Sequence, residues 1–162
     1  MQSRVATSVL LFALALMPVA FGAGKKEIKA SISFHLETVA TDNPKMIFPQ
    51  LTNGKTLYFF RSPEFSTKDV VSFATFPSAV GDDYGLLLTL KPGLANRLAA
   101  ITNSNNGRWM IAQLNGRVVD GVMIDKQVDD GRLVIWKGVT LADINLLDKE
   151  LPRTGAGGKK KK

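Results

Sequence analysis

The sequence predicts an α+β fold, in which a small mixed or antiparallel sheet carries two or three helices packed on one face. Three observations support this prediction. Several short segments alternate between apolar and polar residues, Asn-Gly pairs separate some of them, and other segments place leucine and isoleucine at helical spacing. The chain of 162 residues has the length of one domain with a modest core.

Residues 1–22 have the layout of a secretory signal peptide. Arg4 precedes an apolar stretch from Val9 to Leu16, and the small residues of Ala20-Phe21-Gly22 supply a cleavage site. The apolar stretch is shorter than the ~20 residues of a spanning helix, which favours cleavage over a retained membrane anchor. We therefore expect an exported protein, located in the periplasm, in the cell envelope or outside the cell.

The chemical classes open to the chain are limited by its cysteine count and its charge. It has no cysteine, which excludes a disulfide and a thiol nucleophile. The net charge is +7, but without Arg4 and the last four lysines only 16 cations face 14 acids. A basic patch on the domain itself is typical of nucleic-acid binding, so nucleic acid is not an expected partner.

Residues 23–64 are predicted to form an N-terminal β segment. Glu27 to Thr38 alternates as a half-buried strand, with His35 on the polar face. Residues 55–61 form a second strand after a turn at 53–54, and Ile47 and Phe48 form a short extended piece between the two strands.

Residues 65–151 are predicted to form the main α+β unit. Ser66 and Asp69 resemble a capping box, so a short helix is expected through residues 67–73, with a loop after it. Tyr84 to Leu90 is apolar enough for a central strand. A helix then begins near Pro92, with one apolar face formed by Leu94, Leu98 and Ile101.

The stretch NGRWMIAQLNGRVVDG (106–121) contains two Asn-Gly pairs around an apolar run. The first pair ends the helix, and the second is the signal for a two-residue hairpin between two strands. Residues 132–138 form another strand. Thr140 then caps a last helix that buries Leu141, Ile144 and Leu147, and residues 152–162 form a disordered lysine-rich tail.

The stretch from Tyr84 to Ile135 resembles the head region of the first periplasmic domain of the SecD and SecDF translocase subunits. The motifs that carry the resemblance are the strand end Thr89-Leu90, the helix positions 95–98, the exit 102–107, the hairpin 108–118 and Gly131. It extends over residues 65–151. It implies a small α+β module that contacts extended or partly folded polypeptide, with no catalytic residue to carry over.

Two departures limit what the resemblance implies. The transmembrane helices that couple export to proton flow in those subunits have no counterpart here. In addition, the hairpin positions 120–122 read Asp-Gly-Val in this chain, where the family commonly has Ser-Ala-Pro.

Enzymatic and metal chemistry finds little support in the sequence. His35 is the only histidine, so it is interpreted as a surface residue without zinc partners. The aspartates at 82, 83, 125, 129 and 130 lack the spacing of a calcium loop, and no serine-nucleophile motif is present. We expect no cofactor, no metal and no enzymatic activity. The LPRTG pattern (151–155) is interpreted as a coincidence with a sorting signal.

Two surfaces are candidates for binding. Tyr58, Phe59 and Phe60 form a peptide-contact strand if the strand lies at a sheet edge, although packing of these aromatics into the core is the simpler alternative. Trp109 and Trp136 are expected in the core. Finally, four lysines could contact an anionic membrane or envelope polymer: Lys159, Lys160, Lys161 and Lys162.

The favoured hypothesis is a secreted, non-enzymatic module that binds polypeptide and resembles the SecD head. The alternative is a structural protein of the cell envelope that is attached through its basic tail.

Overall fold

The computed structural model describes residues 29–155. The predicted signal peptide and the terminal lysines lie outside these residues. The described strands and helices follow in this order: β1 (Ile32–Thr38), β2 (Ile47–Thr52), β3 (Lys55–Phe60), β4 (Phe65–Ser66), β5 (Val70–Pro77), β6 (Tyr84–Leu90), α1 (Leu94–Ser104), β7 (Trp109–Leu114), β8 (Arg117–Met123), β9 (Arg132–Val139) and α2 (Leu141–Glu150).

The strands form two sheets in which neighbouring strands are antiparallel. The first sheet has the order β2-β3-β1-β7-β8, with the short β4 also paired to β1, and the second has the order β5-β6-β9. β1, from the predicted N-terminal segment, pairs with β7 from Ile32–Leu114 to Leu36–Met110. The described part of the predicted N-terminal segment therefore belongs to the first sheet, with β1 at its centre.

The two sheets and both helices share one hydrophobic core. Alternate residues of β1, β6 and β9 point into it, as the period of two predicts. Residues with no exposed surface include Phe73, Leu86, Leu88, Leu98, Ile135 and Leu147. Each such side chain contributes about 1.5–3 kcal/mol through the removal of apolar surface from water.

The predicted hairpin at Asn115-Gly116 is confirmed. Both residues have positive φ, 51° and 80°, as a type I′ turn requires. The Asn115 N–H donates to the carbonyl of Ser31 (2.8 Å), and its side-chain amide donates to Asp143 (2.8 Å). The turn thus ties β1 and α2 to the same point.

Asp143 is a buried carboxylate at the start of α2. It accepts hydrogen bonds from the N–H and hydroxyl of Thr140 and pairs with the Arg117 guanidinium at 2.5 Å. Burial opposes ionisation, but the hydrogen bonds from Thr140 and Asn115 and the charge of Arg117 outweigh it and hold the pKa of Asp143 below its ordinary value. The predicted cap at Thr140 is confirmed and extends into this network.

The two sheets meet where β8 approaches β9. The N–H of Trp136 donates to the carboxylate of Asp120 (2.6 Å), and Arg117 donates to the carbonyl of Gly138 (3.3 Å). β8 has an irregular register beside Val119, and a Cβ on Gly138 would lie 2.6 Å from the Val119 carbonyl oxygen. We call these contacts the seam. Hydrogen bonds between a side chain and one backbone group hold the seam, and no backbone ladder pairs β8 with β9.

The prediction of a helix after Ser66 was wrong. The Asp69 carboxylate does accept from the Ser66 N–H (2.9 Å), but only a single 3₁₀ turn at Thr67–Asp69 follows. Val70–Pro77 forms β5 and pairs with β6 along its length. This segment has no charged residue and is rich in β-branched and aromatic side chains, which pack well on a sheet. Residues 29–155 thus contain two α-helices.

Three expectations of burial or disorder also need correction. Leu141 is 60% exposed because it lies in the first turn of α2, away from the core side formed by Ile144 and Leu147. Trp136 is 57% exposed, since its neighbour Ile135 takes the inward position of β9. Residues 152–154 are ordered against β5 by backbone hydrogen bonds with Phe73 and are not part of a disordered tail.

The seam yields the first prediction. Gly138→Ala should lower the free energy of unfolding by about 2–4 kcal/mol. Gly138 has a φ of 80°, and an added Cβ would collide with the Val119 carbonyl oxygen. The matched control is Gly107→Ala, at a φ of 83° with open space around it, which should cost only about 1–2 kcal/mol. Urea unfolding followed by circular dichroism measures both. Equal losses would show that the seam is not tightly packed.

Candidate functional site

A groove of about 570 Å³ lies between β8 and β9, next to the seam. Its walls are the second half of β8, the loop 124–131 and the first half of β9. Side chains of the core form its floor, among them Leu98, Met110 and Leu133. We call this cleft the β8–β9 groove.

Apolar side chains line most of the groove, and charged residues of both signs line the rest. Met123 is 54% exposed on one wall, opposite Val134 and Trp136 on the other. The charged residues that line it are Asp120, Asp125, Lys126, Asp130 and Arg132. Such a lining accepts apolar side chains and repels neither sign of charge outright.

The loop that closes one end of the groove is held to α1 and its exit. The Thr102 hydroxyl accepts from the N–H of Val128 (2.9 Å) and donates to the carbonyl of Leu98 (2.8 Å). The Asn106 side chain donates to the carbonyl of Asp125 (2.9 Å). The groove is therefore preformed.

Backbone groups of both walls point into the groove. On β8, the Ile124 N–H bonds to Arg108, so even-numbered residues face the β7 side and Met123 faces away from it. On β9, the Gly131 carbonyl accepts from Leu90, so odd-numbered residues face β6 and Val134 faces the groove. Aspartate side chains already accept from the outward N–H groups of Gly121, Arg132 and Trp136, so the outward groups left open on the two walls are those of Met123 and Val134.

The outer edges of the two sheets are blunted. On β2, the Met46 carbonyl accepts from Arg61, which places Pro49, a residue without an N–H, at an outward position. On β5, both backbone groups of Phe73 are already bonded to residues 152 and 154. Among the described strands, β8 and β9 differ in that their open backbone groups, at Met123 and Val134, lie against an apolar cleft.

The predicted contact strand with Tyr58, Phe59 and Phe60 does not lie at an edge. β3 has β2 on one side and β1 on the other, and Phe59 is fully buried. These residues also lie on a different strand from the β8–β9 groove. The open edge that a peptide contact here required is absent, because the chain returns as β2 along the outer side of β3.

The interpretation of His35 as a surface residue was wrong. The side chain is buried beneath the β2–β3 hairpin, with its ring edge-on to Phe48 at 5.4 Å between centroids. Nδ1 lies 2.8 Å from the Phe60 carbonyl oxygen, and Nε2 lies 2.8 Å from the Ser33 hydroxyl. Burial lowers the pKa of His35 below its ordinary value of 6.5, and the hydrogen bond to Phe60 opposes this only in part.

The aspartates and tryptophans have structural positions. Asp83 accepts from the N–H of Gly138 (2.7 Å), and Asp130 accepts from the N–H of Arg132 (3.0 Å). Within residues 29–155, no cluster of three or more His, Asp or Glu side chains is placed to hold a metal ion. Trp109 is half-buried, and its backbone N–H donates to the Glu37 carboxylate (2.7 Å).

Sequence reasoning missed the groove residues, Met123 and Val134 above all. The available signal was the lack of a regular polar face in the two strands, at Val122-Met123 in β8 and at Leu133 to Trp136 in β9.

No family model and no curated protein matches the sequence. Among solved structures, the chain is similar to SecDF, described as a membrane component that enhances protein export. That match has a TM-score of 0.53 and 15% identity and covers 76% of this chain and 64% of the other. A second match, SecDF in a super-membrane-facing form, has a TM-score of 0.53 and 18% identity and covers 76% of this chain and 19% of the other.

The predicted resemblance to SecD and SecDF is confirmed at the level of the fold. This chain spans less than two thirds of either SecDF chain. The part of the chain that the structure describes contains no helix long and apolar enough to cross a membrane.

The burial of His35 yields the second prediction. As the pH falls through about 6.5, the unfolded chain takes up a proton on His35 while the folded chain does not. The neutral His35 side chain therefore contributes fully to the free energy of unfolding above pH 6.5. That contribution is lost as the pH falls from 6.5 towards the lower pKa of the folded state. Urea unfolding at several values between about pH 7 and pH 5 should show a decline, and a smaller one in His35→Gln. Parallel declines would show that His35 titrates normally in the fold.

Proposed function

We propose that this chain binds segments of polypeptide in an extended conformation, through strand addition in the β8–β9 groove. The observation that carries the proposal is the contrast between the edges. β2 is interrupted by Pro49 and β5 is covered in its middle at Phe73, whereas Met123 and Val134 direct free backbone groups into an apolar cleft.

The chemistry of the groove favours a broad range of sequences. Backbone hydrogen bonds do not depend on side-chain identity, and the apolar floor accepts Leu, Val, Phe or Met without a charged partner. A volume of about 570 Å³ accommodates a few side chains, so a short apolar segment within a longer unfolded chain suits it best.

The likeness to SecDF supports the same direction. SecDF is described as enhancing protein export, and this chain shares the fold of part of it. We propose that this chain contacts exported polypeptides in the periplasm or at the outer side of the cell envelope, without catalysing a reaction. From the likeness to SecDF we propose only contact with polypeptide for this chain, without a motor activity.

The third prediction tests the strand edge. Val134→Pro removes the N–H that faces the groove and leaves the pairing of β9 with β6 intact, so affinity for an unfolded polypeptide should fall about three- to tenfold. The probe is a fluorescein-labelled secreted protein whose disulfides have been reduced and alkylated, and fluorescence anisotropy measures its binding. The matched control is Leu51→Pro, also at an outward-facing edge position, which should change affinity less than about twofold.

Photo-crosslinking locates the bound chain independently. A photoreactive residue at Met123 should capture the unfolded probe, whereas one at Leu51, which is 68% exposed, should not. The same secreted protein in its native form serves as the folded control. Equal capture from both positions, or equal loss of affinity in the two proline variants, would contradict binding in the groove.

A further inference from the structure

The segment Pro152–Thr154 lies along the free edge of β5 as a short parallel strand. The N–H of Phe73 donates to the carbonyl of Pro152 (3.1 Å), and the N–H of Thr154 donates to the carbonyl of Phe73 (2.7 Å). The hydroxyl of Thr154 also donates to the hydroxyl of Ser72 (3.0 Å). The outward-facing groups of Phe73 are thereby satisfied within one molecule.

Arg153 fixes this segment in place. Its guanidinium donates twice to the Asp148 carboxylate of α2 (2.5 and 2.8 Å) and once to the Thr75 hydroxyl (2.9 Å). The same group lies 4.6 Å from the centre of the Phe73 ring. One side chain therefore links the helix, the edge strand and the segment.

The edge beneath the segment is otherwise prone to pairing. β5 is eight residues long without a charge, and its outward positions include Phe73 and Thr75. A long, uncharged edge strand is a template for another strand. Pro77, which has no N–H, blunts only its far end.

We propose that Pro152–Thr154 is an intramolecular edge cap that keeps two copies of this chain apart. When the cap is removed from β5, the exposed edge pairs with the same edge of a second copy. A second copy presents the identical edge, so antiparallel pairing about a two-fold axis is self-complementary. The cap covers the middle of that edge, where such pairing would be centred. This assigns the residues of the LPRTG pattern a structural role.

The fourth prediction concerns the full chain with Arg153→Ala and Thr154→Pro together. These changes remove the Arg153 guanidinium and the Thr154 N–H that donates to the Phe73 carbonyl. The self-association constant should therefore rise at least about tenfold. Sedimentation velocity over a range of protein concentrations measures it. The matched control is Arg97→Ala, which removes an arginine that pairs with Glu64 and lies 5.3 Å from the Phe65 ring. That variant should stay as monomeric as the unmodified chain.

Two chain ends give an independent test if the double substitution impairs folding. A chain ending at Leu151 lacks the cap but keeps the residue that ends α2, and it should self-associate, whereas a chain ending at Gly155 lacks only the residues beyond it and should not. Adding Thr75→Pro to the capless chain removes an outward N–H of β5 and should restore the monomer.

Hydrogen exchange at the Phe73 amide reports whether the cap is released. Faster exchange without self-association would overturn the proposal, and so would self-association that Thr75→Pro does not reverse. All of these measurements are made without added polypeptide, so they do not depend on whether the β8–β9 groove binds one.

Discussion

The two sheets described here share a core and approach each other side by side at the seam, and the groove depends on that junction. The Asp120 carboxylate accepts a hydrogen bond from the backbone N–H of Trp136, at a place where a neighbouring strand would ordinarily supply a carbonyl. Gly138 allows close approach there because it has no Cβ to meet the Val119 carbonyl. Because the seam contacts lie at one end of β8 and β9, the remaining halves of the two strands are left to line a groove.

The same constraint determines where the molecule could take up another strand. A sheet edge exposes backbone groups that pair with any extended chain, and folded proteins block most such edges. Here a proline interrupts β2, and the C-terminal segment covers β5. Along β8 and β9, Asp120 and Asp130 accept from part of the edge, and the backbone groups of Met123 and Val134 remain open towards an apolar cleft. This contrast between the edges is the reason for proposing strand addition at the groove.

Local signals were sufficient for much of the fold. The Asn115-Gly116 turn, the strand Tyr84–Leu90 and the cap at Thr140 each depend on a few adjacent residues, and the structure has them as predicted. β5 was mistaken for helix and loop because the cap at Ser66 is a local signal, whereas the pairing with β6 is not. His35 is buried by a hairpin that crosses the nominally polar face of β1. The groove was not predictable because its walls come from strands whose spacing is set by the seam.

The preformed groove has consequences for the strength and selectivity of binding. Thr102 and Asn106 already hold the closing loop, so little conformational entropy is lost there when a ligand enters. Each backbone hydrogen bond to a strand contributes only about 0.5–1.5 kcal/mol, because water already solvates the free groups. Burial of one Leu or Phe side chain contributes about 1.5–3 kcal/mol, so apolar content should outweigh the number of hydrogen bonds in choosing a segment. A site of this kind discriminates between unfolded and folded chains more strongly than between sequences, because a folded protein has already buried the apolar side chains and paired the backbone groups that the groove would take up.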